Sequence, residues 1–99
     1  MEENPPAIAV ARVLCPTANT AVQLPNVHVP FDHEVTIKAL DTNTGTIYVG
    51  NSAVEAEANP TSFPLLNGDA IAYKIKNLQH LWIRATVANE GIYWTTEQE

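Results

Sequence analysis

Seven prolines, at positions 5, 6, 16, 25, 30, 60 and 64, punctuate the first two-thirds of the chain. Each fixes φ and removes an amide donor, so no interior helix survives across those positions. The longest proline-free stretch runs from Leu65 to Glu99, and much of it repeats with period two. Ile71, Tyr73 and Ile75 alternate with Ala72, Lys74 and Lys76; Leu81, Ile83, Ala85 and Val87 alternate with Trp82, Arg84 and Thr86. Ile92, Trp94 and Thr96 alternate with Tyr93 and Thr95. Upstream, Val35, Ile37 and Ala39 alternate with Thr36 and Lys38, and Ile47 and Val49 flank Tyr48. Such alternation places large apolar groups on one face of a strand.

Residues that favour turns separate these runs. The segment Asp41 to Gly45 tolerates positive φ and reads as a hairpin loop, as does Asn89-Glu90-Gly91 between the last two runs. Asn67-Gly68-Asp69 starts the Ile71 strand, and Asn77-Leu78-Gln79 makes a short connection. Strands are expected near 8–14, 20–24, 34–40, 46–50, 70–76, 81–87 and 91–96. Ser52 to Ala58 is rich in Ala, Val and Glu and reads as a helical turn closed by Asn59-Pro60. Residues 25–33 read as a proline-bounded edge segment or an ordered loop. The fold class that follows is all-β: a single-domain antiparallel β-sandwich or jelly-roll-like domain of about seven strands. Its extent is 8–99, and residues 1–7, with two prolines, form an extended N-terminal arm. A chain of 99 residues supplies one core, and a charged fraction of only 16% beside 45% apolar residues argues against disorder.

Charge narrows the partners. Five Lys and Arg against eleven Asp and Glu give a net charge of −6, which cannot supply the cationic stripe that phosphate binding needs. Nucleic acid and anionic membranes are therefore not expected as partners. No apolar run approaches a membrane span, and Met1-Glu2-Glu3-Asn4 is no basic signal-peptide start, so synthesis in the cytosol without processing is the expectation. The lone Cys15 makes no internal disulfide and reads as a small apolar residue at a strand end. His28, His33 and His80 invite a metal reading. On a strand, however, His28 and His33 would face opposite ways, and surface histidines beside acids, with a pH-sensitive contact at most, fit better. Glu55 and Glu57 read as a solvated face. No phosphate loop, nucleophile elbow or zinc-protease motif occurs, so neither catalysis nor a cofactor or metal is expected.

Large aromatic groups fall on both parities of their strands. Tyr93 and Trp94 are sequential, so one faces away from any core the other fills; Trp82 opposes Leu81 and Ile83. Either the second face covers a partner, or both faces are internal. Stacking on sugar rings is the carbohydrate-binding alternative.

Several phrases stand in a suggestive order: TANTAVQLP at 17–25, EVTIKAL at 34–40, NTGTIYVGNS at 43–52, FPLLNGDAI at 63–71 and NLQHLWIRAT at 77–86. In that order they resemble small β-structured virion accessory proteins of tailed bacteriophages, of the head decoration, head-fibre or head–tail type. In those proteins a G-x-I-Y-V-G strand precedes F-P-L-x-x-G-(D/E)-x-I and N-L-x-x-(L/I)-(W/Y)-(I/V). The resemblance covers most of residues 17–87 and carries no catalytic residue with it. It implies a structural protein of the virion, most simply a capsid decoration (cementing) protein that bridges major capsid proteins, with a homotrimer favoured by analogy with three-fold lattice positions. A head–tail connector or tail component is the alternative within that class, and a carbohydrate-binding module on a fibre or spike is the alternative outside it. The contact residues expected on this reading are Pro5, Pro6 and Ile8 in and beside the arm, with Trp82 and Tyr93 as aromatic anchors.

Overall fold

A computed structural model describes residues 7–57 and 63–98. The chain forms strands β1 (Ala7–Cys15), β2 (Val22–Gln23), β3 (Val35–Ala39) and β4 (Ile47–Gly50), then helix α1 (Ala53–Glu57). Strands β5 (Phe63–Leu65), β6 (Ala70–Tyr73), β7 (Trp82–Ala85) and β8 (Glu90–Gln98) follow. A single 3-10 turn, Leu78–His80, precedes β7 and is capped by the Asn77 side chain, which accepts from the Gln79 amide.

The strands form two four-stranded antiparallel sheets, ordered β1-β8-β3-β6 (sheet A) and β2-β7-β4-β5 (sheet B). The first strand pairs with the last, the second with the seventh, the third with the sixth and the fourth with the fifth. That nested pairing is a long hairpin rolled into a sandwich, the jelly-roll arrangement. Alternation sorts the side chains as expected. Val35, Ile37 and Ala39 of β3 and Ile92 and Trp94 of β8 meet Ile47, Val49, Ile83, Ala85 and Leu65 of sheet B in one buried cluster. Thr96, the buried polar residue of β8, donates its hydroxyl to the Glu34 carbonyl. The Trp94 Nε1–H finds no acceptor among the described residues, a cost of about 1–3 kcal/mol that the surrounding burial offsets.

Three local expectations need correction. The Asp41–Gly45 and Asn89–Gly91 segments are not hairpin loops, because each carries the chain from one sheet to the other. The same turn residues serve both purposes, and long-range bonds make the choice here. The buried Asn43 amide donates to the Gly91 carbonyl, and the Glu90 carboxylate accepts from the Thr44 and Gly45 amides. Among the described residues the strand count is eight against about seven expected, the extra strand being β5, whose Pro64 disguised it. Finally, the strands expected over 70–76 and 81–87 shorten to 70–73 and 82–85, whereas β8 lengthens to 90–98. Of the expected Ser52–Ala58 turn, residues 53–57 form α1, while Ala58 and the Asn59-Pro60 stop lie outside the described residues. Residues 27–29 run beside 76–78 as an ordered segment, bonded from Val29 to Lys76 and from Leu78 to Val27.

Helix α1 lies on the outer face of sheet B. It reaches the sheet because residue 50 is glycine: a Cβ there would stand 2.5 Å from the Ala56 nitrogen. Arg84 projects outward from β7 and donates Nε–H to the Ala56 carbonyl at 2.8 Å and Nη1–H to Asn19 Oδ1 at 2.9 Å. Its guanidinium lies 4.2 Å from the centroid of the Tyr48 ring, so the helix, the sheet and the 16–21 segment are clamped together.

Candidate interaction surface

The surface that stands out lies on the opposite side of the sandwich, on sheet A. β1 is an edge strand, paired along its whole length with β8 from Ala7↔Gln98 to Cys15↔Glu90. Its alternation sends Ile8, Val10, Arg12 and Leu14 to the outer face, opposite in parity to the buried Cys15. Ile8 is 65% exposed, Val10 61% and Leu14 36%. Tyr93, the β8 neighbour of Arg12 across the ladder, is 43% exposed. Together these side chains form an apolar band along the strand, interrupted by one cation.

The inward parity of β1 is only partly covered too. Ala11 is exposed and Ala9 and Val13 are half-buried, because β2, the outermost strand of the facing sheet, is two residues long. Close packing of β1 on β8 depends on Gly91, where a Cβ would run into the Val13 carbonyl oxygen. Cys15 closes the strand as part of the core, and burial pushes its thiol up from the usual cysteine value, with a backbone hydrogen bond at Ala85 opposing in part. A thiol held protonated this way is a weak nucleophile.

At the N-terminal end of β1 the band meets a tight turn. The His33 amide donates to the Pro30 carbonyl, and Asp32 takes a positive φ of 65°. This conformation holds Phe31 at 94% exposure. Contacts that hold the turn include Lys74 Nζ at 3.2 Å from Asp32 Oδ1 and His33 Nδ1 at 2.7 Å from Glu97 Oε1. Between them and Ile8 runs a shallow groove of about 500 Å³ with Thr36 and Thr95 on its floor. Among the described residues no group of three or more His, Cys, Asp or Glu is placed to hold a metal ion.

The residues expected to make contacts are therefore dispersed. Ile8 and Tyr93 share the outer face of sheet A. Trp82 is half-buried on the outer face of sheet B, between Gln23 and Gly50 in the ladder, and belongs to a different surface. Trp94 fills the core, so Trp82, Tyr93 and Trp94 form no common platform. Pro5 and Pro6 lie outside the described residues. Sequence reasoning missed Val10, Leu14 and Phe31. The parity of Val10 and Leu14 was readable from the alternation; their importance was not, since it comes from β1 being an edge. Phe31, bracketed by Pro30 and Asp32, carried a turn signal that pointed to its exposure.

No protein-family model, no curated protein and no solved structure matches this chain. No helix among the described residues is long and apolar enough to cross a membrane.

Proposed function

We propose that the chain is a non-catalytic assembly protein, of the kind its short β phrases resemble in tailed-phage virions, and that it serves as a capsid decoration protein. In this role the outer face of sheet A lies across joints between major capsid subunits and opposes their separation. The observation that carries the reading is the band of Ile8, Val10, Leu14 and Tyr93, exposed along one strand and its neighbour. Large apolar groups collected in one place on a surface, with few charges among them, favour contact with other protein. The jelly-roll frame supports the reading, since this architecture recurs in capsid proteins, although it hosts lectins and enzymes as well.

The test is to incubate the purified chain with undecorated phage heads, sediment them and image the pellet. The wild-type chain is expected to pellet with the heads and occupy repeated lattice positions. Tyr93→Ser is expected to weaken retention about tenfold, as for loss of an aromatic anchor. Failure of the wild-type chain to bind heads, or density confined to the portal vertex or tail, would overturn the decoration role.

A further inference from the structure

We propose that β1 pairs with β1 of a second copy of this chain, antiparallel about a two-fold axis through Ala11, fusing two copies of sheet A into one eight-stranded sheet. The inference deepens the assembly reading by naming the occupant of the open edge, and it has its own test.

Among the described residues the sandwich has four strand edges, and three are protected. β2 has two residues and is followed by Pro25; β5 has three, with Pro64 at its centre. β6 has four, and Lys74 and Lys76 follow it. Short length, proline and lysine are the devices that stop an edge from recruiting another strand. β1 has prolines only beyond its ends, at positions 6 and 16; within its nine residues, AIAVARVLC, there is no proline and a single charge, so the whole paired length is unprotected. Its outward-pointing amides and carbonyls form a pairing template about 30 Å long.

The occupant follows from the order of residues along that template. A two-fold interface must be complementary to itself. With the axis at Ala11, all nine residues overlap, and Ile8 faces Leu14 of the other copy on the outer side. On the inner side Ala9 faces Val13, and the exposed Ala11 faces itself without crowding. Arg12, the one charge, faces Val10 and not its own copy. Moving the axis to Arg12 would set two guanidiniums directly opposite, which is unfavourable. A head-to-tail ring of the kind a trimer needs would pair β1 with β6, whose four residues leave more than half of β1 unmatched.

Position 10 supplies a charge test of this register. The test is sedimentation equilibrium of the full chain, and the wild type is expected near twice its mass of 10.8 kDa. Val10→Lys places a lysine opposite Arg12 of the other copy, twice by symmetry, and is expected to give monomers with an unchanged circular dichroism spectrum. Val10→Glu places a carboxylate there and is expected to keep the dimer. Ala11→Cys is expected to form an intermolecular disulfide on oxidation, since directly opposed residues in a ladder lie within disulfide reach. Ala9→Cys is expected not to do so. A wild-type monomer at about 100 μM, a trimer, equal behaviour of the Lys and Glu variants, or no crosslink at position 11 would each overturn the pairing. Dimers that ignore heads would leave the pairing standing and remove the decoration role. Monomers that bind heads would do the reverse.

Discussion

The two sheets of this sandwich are finished differently. Sheet B is closed off: its edge strands have two and three residues, and helix α1 covers its outer face through the Gly50 contact and the Arg84 clamp. Sheet A has a nine-residue apolar edge and an outer face where Ile8, Val10 and Tyr93 stand in solvent. The same chain that spends a helix and a buried arginine on one face leaves the other uncovered among the described residues. Covering a sheet face costs ordering entropy and residues, and an apolar face left exposed among the described residues is where the proposed second molecule would supply the cover.

Two leucines on the two edges give the sharpest contrast. Leu65 of β5 points into the core and is 2% exposed, whereas Leu14 of β1 points outward and is 36% exposed. Leu65→Ala is expected to cost about 2–5 kcal/mol in urea unfolding, through lost burial plus the cavity left behind. Leu14→Ala, measured below any association, is expected to cost no more than about 1 kcal/mol, as for surface positions. Equal losses would mean that the β1 edge is already covered within the monomer, and the contrast between the sheets would disappear.

A pair of cations makes a smaller version of the same comparison. Arg84 on sheet B is buried and forks to the Ala56 carbonyl and Asn19 over the Tyr48 ring. A lysine cannot reproduce that planar fork, so Arg84→Lys is expected to cost about 1–3 kcal/mol. Lys38 on sheet A meets Asp41 at 3.5 Å with both side chains in solvent. Lys38→Ala is expected to cost no more than about 0.5 kcal/mol. Thermal midpoints of both variants at one protein concentration check the ordering, and a larger loss at Lys38 would contradict the account of which face is structurally closed.

Much of this difference was hidden in the sequence. Parity was legible, since alternation alone separated Ile37, Ile83 and Trp94 from Thr36, Arg84 and Tyr93. The number and class of strands followed closely, with β5 lost only because a proline at position 64 argues against a strand unless the strand is an edge. Connectivity was not legible. Asn43 and Glu90 look like ordinary turn residues, yet their partners lie more than forty positions away, at Gly91, Thr44 and Gly45. The interaction surface depends on that hidden step. Ile8, Val10 and Leu14 read as a half-buried strand until topology puts β1 at the end of a sheet, and only then does their outer parity become exposed surface. Trp82 and Tyr93 show the same dependence: the period placed each opposite its inward neighbours, and only the rolled topology sends them to different sides of the molecule.

The smallest expected effect concerns the closed end of the sandwich, where Glu90 joins both sheet crossings. Its Oε2 accepts from the Thr44 amide and hydroxyl, and its Oε1 from the Gly45 amide. Hydrogen bonds from the Thr44 and Gly45 amides, which favour the charged carboxylate, hold it below the usual value of 4.5. A depressed carboxylate stabilises the fold fully above its unfolded value, and the contribution is lost as the pH falls through the lower, folded value. Glu90→Gln keeps the shape and removes the charge. The stability gap between wild type and Glu90→Gln is therefore expected to be widest near neutrality and to close on acidification below 4.5. Leu14→Ala, at the open edge, removes no ionisable group and is expected to keep a constant offset from wild type over the same range. Urea midpoints collected from pH 7 down to pH 3 separate the two behaviours, and a gap at Glu90 that stays level would show that its carboxylate does not hold the sheet crossings by charge.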